Sequence, residues 1–262
     1  LCRPREDGAL PPLALDVGAN EGVYTLLMAA YGCRVISWEP QPACMRPLAL
    51  SVALNAFDYS PRLLNRVASY DASAAFKVSA HGRCRGDHTF GSKIRFRESP
   101  KERKKLAADT MVVGVTSVDA AVAEESDVSK PAARIAVLHV DVEGAELSVL
   151  RSASRHFPLV DNLFVEVDVR RWSNYGLTRA AGAALMEDLI TRAGNMTCRD
   201  LKVAPSDHPA EAPLIRNLTA HVFALVRETD LWCTSLPDLT TPARASDAVA
   251  TWPPLPFAGK AN

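Results

Sequence analysis

Short apolar runs and longer helical repeats take turns along this chain, and that alternation predicts its elements. Leu13-Ala-Leu-Asp-Val17 is the first buried run; it reads as a parallel strand followed by a helix over Glu21–Tyr31. Gly32 breaks the helix, and Arg34–Glu39 supplies a second strand, which closes a right-handed βαβ unit. Pro40 and Pro42 end that strand and open a moderately amphipathic helix to about Asn55. After the Tyr59-Ser-Pro turn, Leu63–Ala68 reads as a third strand ending beside the second.

Downstream the pattern loosens and then sharpens. Ala75–Ser79 reads as a hairpin strand and Met111–Val115 as another, with Thr116–Asp119 placed to cap a helix over Ala120–Glu125. Ile135–Asp141 is the most strand-like run, and it passes through Val142–Glu146 into a helix carrying Leu147, Val149 and Leu150. Leu163–Val167 reads as a buried strand and Leu177–Ala193 as a helix. Met196–Val203 and His221–Val226 are expected to finish the sheet as an antiparallel pair. The order predicts one α/β domain over 13–234, a doubly wound, mostly parallel sheet with helices on both faces. Residues 1–12 form a polar lead-in, and the Pro- and Ala-rich 235–262 a disordered tail.

Composition narrows this picture in a few places. With 262 residues, 48% hydrophobic, the chain suits a single well-buried domain. Thirty basic residues balance thirty acidic ones, so global charge supplies no reason to expect nucleic acid or an anionic membrane. The exception is local: 81–110 is a basic insertion, a solvated face in the plain reading and a selector of anionic substrate in the sharper one. No apolar run reaches the roughly 18 residues of a membrane helix. Six cysteines lack any CxxC pair, which argues against zinc and reads as ordinary thiols. Asn195-Met-Thr and Asn217-Leu-Thr are glycan-acceptor tripeptides, which fit a secretory lumen but also arise by chance. The compartment is thus either cytoplasmic or secretory-lumenal behind a segment upstream of Leu1.

The candidate chemistry gathers at predicted strand ends. Gly18 and Gly22 let the backbone after the first strand turn tightly, and the new helix offers N–H groups and a positive dipole end to an anion. Glu39 follows Asp16 by 23 residues, close to the offset at which an acid reaches a ribose diol. Asp141 and Glu143 sit at the carboxyl end of the central strand, where open α/β sheets bind ligands. Gly18-Ala-Asn-Glu-Gly22 lacks the GxGxxG spacing of a dinucleotide oxidoreductase.

Three blocks together carry a family resemblance: Leu15–Gly22, Trp38-Glu-Pro40, and Val140-Asp-Val-Glu-Gly-Ala-Glu146 with Leu147–Leu150. In their order and spacing over Leu13–Val167 the chain resembles the FkbM-type family of S-adenosylmethionine-dependent methyltransferases. The resemblance implies a class I methyltransferase sheet, Rossmann-like and seven-stranded, with the last strand antiparallel. It places the cofactor's methionine carboxylate near the Gly18, Ala19, Asn20 and Gly22 backbone, its ammonium near Asp16, its ribose hydroxyls on Glu39, and its adenine beside Asn65 to Ala68. Asp141 or Glu143 is the candidate to align and deprotonate an acceptor hydroxyl; alternatively Asp141 orients the cofactor and Glu143 caps the next helix. Glu166 is a weaker candidate for the same role and reads more readily as structural. His139 stands where the family usually has lysine, and reads as a buried, hydrogen-bonded imidazole. No metal-ligand spacing is visible, so the sequence gives a metal no support and assigns it no ligands. The implied activity is O-methylation of a sugar, glycan or other small molecule; the alternative is a catalytically silent binding or scaffold module on the same fold.

Overall fold

A computed structural model describes residues 2, 10–71, 76–79, 83–84, 110–125, 134–203 and 212–236. Its strands are β1 (Leu13–Val17), β2 (Arg34–Trp38), β3 (Arg62–Leu64), β4 (Val67–Ala68), β5 (Phe76–Ser79), β6 (Thr110–Val113), β7 (Val115–Thr116), β8 (Ile135–Val140), β9 (Asn162–Val167), β10 (Thr197–Asp200), β11 (Leu214–Ile215) and β12 (Thr229–Thr234). Between them run α1 (Val23–Ala30), α2 (Pro42–Leu54), α3 (Val118–Glu125), α4 (Glu146–Ser152), α5 (Arg179–Glu187) and α6 (Leu218–Ala224).

The main sheet has the order β11-β10-β12-β9-β8-β1-β2-β3. Strands β3, β2, β1, β8 and β9 are parallel, and β12 runs antiparallel to both β9 and β10. The expected mixed sheet is therefore present, with eight strands rather than seven because the two-residue β11 adds an edge. The central strands are apolar on both faces because helices cover both. Leu13, Leu15 and Val17 join the core packed by α3, α4 and α5, while Ala14 faces Met28 and Ala29 of α1. Leu48 and Val52 of α2 pack on Ala19 and Leu63.

Several boundaries differ from the pattern-based reading, each for a local reason. His221–Val226 is not a strand. Asn217 Oδ1 accepts from Ala220 N at 2.7 Å and caps α6 there, and the strand that returns along β9 is Thr229–Thr234. The predicted third strand splits at Asn65, whose Nδ2 donates to the Glu39 and Pro40 carbonyls at 2.8 and 3.0 Å; β4 then pairs with β7 instead. The helix expected over Leu177–Ala193 begins at Arg179, capped by Thr178, and ends in a π-helical turn over Asp188–Ala193. The expected hairpin strand is β5, paired antiparallel with β6.

The cysteines are the largest correction. They are not ordinary thiols: Cys2–Cys33, Cys44–Cys84 and Cys198–Cys233 are disulfides. Partners 31 to 40 residues apart leave no CxxC signature, so only the fold brings them together. The first bridge buries Cys2 of the lead-in among Ala14, Cys33 and Val35. Apart from Arg83, Cys84 and Thr110, the basic insertion 81–110 lies outside the described residues, as does the tail beyond Leu236.

Candidate active site

The carboxyl ends of β1, β2 and β8 open into one cleft, where doubly wound sheets hold their ligands. At the end of β1 the chain turns at Gly18, with φ 91°. A Cβ there would stand 1.8 Å from the Asp141 carbonyl oxygen, so glycine is required by both backbone conformation and space. Gly22, the N-cap of α1 at φ 92°, is pressed on Leu48 in the same way, its added Cβ falling 2.1 Å from Leu48 Cδ1. Asn20 also takes positive φ, and both sulfurs of the Cys44–Cys84 bridge touch its side-chain oxygen. A disulfide has no S–H to donate, so this is a packing contact.

The loop's amides are largely engaged already. Gly18 N and Ala19 N both donate to the Trp38 carbonyl at 3.0 Å, Gly22 N donates to Ala19 O at 2.7 Å, and Asn20 N donates to Glu39 Oε2 at 2.9 Å. Three of these four N–H groups tie the loop to the end of β2, and the fourth closes the loop on itself. Glu39 is 3% exposed and also accepts from Gln41 N at 2.7 Å through Oε1. Burial pushes its carboxyl up, and the two amides pull it back down.

Asp16 lies beneath the cleft rather than in it. It is fully buried, accepting from Thr25 Oγ1 at 2.5 Å and meeting His139 Nδ1 at 2.9 Å. His139 is thereby held as a partly buried, hydrogen-bonded ring, 4.0 Å between centroids from Tyr24. Of the expected site residues, Gly18, Asn20, Glu39, Ala68, Asp141 and Glu143 line the cleft. Ala19 and Gly22 pack on α2, and Asn65 holds strand ends together. Arg66 and Val67, within the Asn65–Ala68 stretch expected beside the adenine, line it too; Gln41 and Val142 also line it and were missed, although each follows a recognised strand end by only one or two residues, a position that could have flagged them.

Asp141 and Glu143 occupy a strained turn. Glu143 has φ 55° and Gly144 φ 102°, and a Cβ on Gly144 would stand 2.5 Å from Arg171 Cβ. Glu143 pairs with Arg171 at 2.5 Å, which in turn holds Asp168 at 2.9 Å. Glu166, the weaker candidate, comes up from β9 to join them. Asp141, Glu143 and Glu166 place carboxylate oxygens within 4.8 Å of one another, a set that linear spacing hid because Glu166 is on another strand. Burial raises the Asp141 carboxyl, opposed by the His139 ring and by a hydrogen bond with Glu166. Glu166 is pushed up to about 7 by burial and by the charges of Asp141, Glu143 and Asp230, with Lys202 opposing. Carboxyls this close disfavour being ionised together, so the charge of Asp141 helps to keep the proton on Glu166.

Glu146 anchors the turn from below. Fully buried, it accepts from Gly144 N at 2.5 Å and from Trp172 Nε1 at 2.9 Å. Burial holds its carboxyl up at about 8 against those two donors. The folded chain keeps this proton to about pH 8, whereas an unfolded glutamate loses it near 4.5. Unfolding therefore releases a proton across that window, and stability falls as pH rises through it. Glu146→Gln is expected to remove this component, on the order of a few kcal/mol, from the stability difference between pH 5 and pH 8 measured by denaturant unfolding. An unchanged difference would show that Glu146 does not carry it.

A strand, a glycine turn, an acid closing the next strand and an acid turn closing the central one define the class: a doubly wound α/β protein with a ligand cleft at its strand ends. Residues 16–186 match the family described as "Methyltransferase FkbM domain", and the chain belongs to that family. It is 31% identical over 193 residues to "Methyltransferase sdnD" of Sordaria araneosa, an alignment covering 68% of this chain and 72% of that one. Among solved structures it overlays WbdD at 12% identity with a TM-score of 0.38, over 86% of this chain and 35% of that one. It also overlays the plantazolicin methyltransferase BpumL, solved with SAH, at 9% identity and a TM-score of 0.37, over 86% of this chain and 76% of that one.

Proposed function

We propose that this chain is an S-adenosylmethionine-dependent methyltransferase that methylates a hydroxyl oxygen of a sugar, glycan or other small molecule. Family membership supports methyl transfer, and the observation that carries the oxygen acceptor is the gathering of the Asp141, Glu143 and Glu166 carboxylate oxygens within 4.8 Å of one another, with Asp141 and Glu143 lining the cleft. The residues fit the cofactor's chemistry. Glu39 accepts from the Asn20 and Gln41 amides and from the Gln41 side chain, which still leaves its carboxylate an acceptor position for a ribose hydroxyl, and Gly18 leaves the cleft floor bare of a side chain. Because the Gly18, Ala19, Asn20 and Gly22 amides are engaged, the methionine carboxylate falls to Glu21 N and the first-turn amides of α1. Asp16 acts from below, through Thr25 and His139. Ala68, with Arg66 and Val67, borders the adenine, and Asn65 holds that border in place.

When bound, the cofactor supplies a methyl group on a positive sulfonium. The protein's part is to hold the acceptor oxygen in line and take its proton. Asp141, in its ionised form, accepts the hydroxyl hydrogen; Glu166 stabilises the protonated carboxyl by the hydrogen bond between them. Glu143, pinned by Arg171, keeps the turn in place.

The test is calorimetric titration with S-adenosylmethionine and S-adenosylhomocysteine. Micromolar binding is expected, and Glu39→Ala should weaken it about tenfold to a hundredfold, the loss of one or two charge-assisted hydrogen bonds. No binding by the parent chain at millimolar ligand would favour the silent scaffold reading, which the engagement of the loop amides supports. The carboxylate cluster is read as a proton-accepting group, with no metal required. Turnover is expected to be unchanged by a chelator; a loss restored by magnesium would reassign Asp141, Glu143 and Glu166 as cation ligands.

A further inference from the structure

Both acceptor asparagines lie at the surface of the fold. Asn195 and Thr197 are exposed at the start of β10, with Asn195 at φ 49°, and Asn217 is exposed at the N-cap of α6. The topology brings the two together. β10 and β11 are antiparallel with Cys198 opposite Ile215, so Asn195, three residues before Cys198, and Asn217, two after Ile215, share one end of that edge pair. β10 runs parallel to β9, since each is antiparallel to β12. Their shared end is therefore the amino-terminal end of the parallel strands, opposite the cleft.

The cysteines point to one compartment. All six are paired, joining the lead-in to the start of β2, α2 to Cys84, and β10 to β12. A reducing cytosol keeps such thiols open, and an oxidising lumen closes them. We propose that this chain matures in an oxidising secretory lumen and carries N-linked glycans on Asn195 and Asn217. Each bridge forms as two thiols pass two electrons and two protons to a disulfide oxidant. In each glycosylation, Asn Nδ2 attacks C1 of a diphosphate-linked oligosaccharide. The N–C1 bond forms, the C1–O bond to diphosphate breaks, and the amide proton leaves with the diphosphate. Asn217 caps α6 through Oδ1, so its Nδ2 is free to carry the sugar. The edge position keeps both glycans clear of the cleft, and the proposal stands independently of methyl transfer.

The test uses the full 262-residue chain expressed behind a secretory leader in eukaryotic cells. Peptides from both the secreted and the retained fractions are released with an N-glycosidase in heavy-oxygen water and mapped by mass. Labelled aspartate is expected at 195 and 217, and thiol alkylation should modify no cysteine before reduction and six after it. Asn195→Asp and Asn217→Asp should each remove one glycan; aspartate tolerates the left-handed turn and keeps the helix cap, so the unfolding midpoint should stay the same. Bare asparagine at both positions, or cysteines alkylated before reduction in the folded chain, overturns the proposal. Label at one position alone overturns the assignment of the other.

Discussion

Gly18→Ala is expected to cost the fold on the order of 3 kcal/mol or more and to abolish cofactor binding. Two effects add at this position. A side chain at positive φ costs about 1 to 3 kcal/mol, and forcing a methyl into filled space costs a similar amount. At Gly18 the intruding Cβ would meet the Asp141 carbonyl at 1.8 Å, backbone against backbone, with no flexible side chain to give way. The two strand ends must part, and that separates the Gly18 turn from the Asp141 turn across the cleft. For a domain of this size the loss corresponds to a fall of roughly 10 °C in unfolding midpoint. Gly114→Ala is the control, because nothing lies within 4 Å of its added Cβ; it should fall within about 0.5 kcal/mol of the parent. Equal midpoints for the two variants would show that β1 and β8 can separate without cost.

Asp141→Asn is expected to lower turnover by about a hundredfold to ten-thousandfold, the usual worth of a positioned base, while cofactor affinity changes far less. The pH profile distinguishes this role from a structural one. In the parent, Glu166 sits near 7 because burial and the charges of Asp141, Glu143 and Asp230 raise it, so its proton leaves as pH passes about 7 and turnover rises through that range. Neutral asparagine removes one of those charges. Glu166 should then release its proton at lower pH, and the residual activity should rise earlier. Glu143→Gln should cost turnover less, about tenfold, because the Glu143 carboxylate is already committed to Arg171. Affinity lost in step with turnover in Asp141→Asn, or an unmoved pH profile, would assign Asp141 to cofactor binding instead.

What was legible before folding was what local chemistry decides. The buried runs at Leu13–Val17, Ile135–Val140 and Leu163–Val167 are strands because their apolar side chains are covered on two faces, and periodicity records that. The turn at Gly18 was readable because positive φ selects glycine. His221–Val226 misled because a short apolar run suits helix or strand alike, and the Asn217 cap with the pairing of β12 on β9 settled it.

Three things belonged to tertiary structure alone. Cysteine partners 31 to 40 residues apart, the approach of Glu166 to Asp141 from a neighbouring strand, and the capture of the loop amides by Trp38 and Glu39 all join groups that no local pattern relates. The chain by itself determined that an acid would close β8 and a glycine turn would close β1, since both follow from backbone conformation and alternation within a few residues. How closely those acids approach one another, and which amides remain for an anion, depends on distances across the sheet, and only packing sets those.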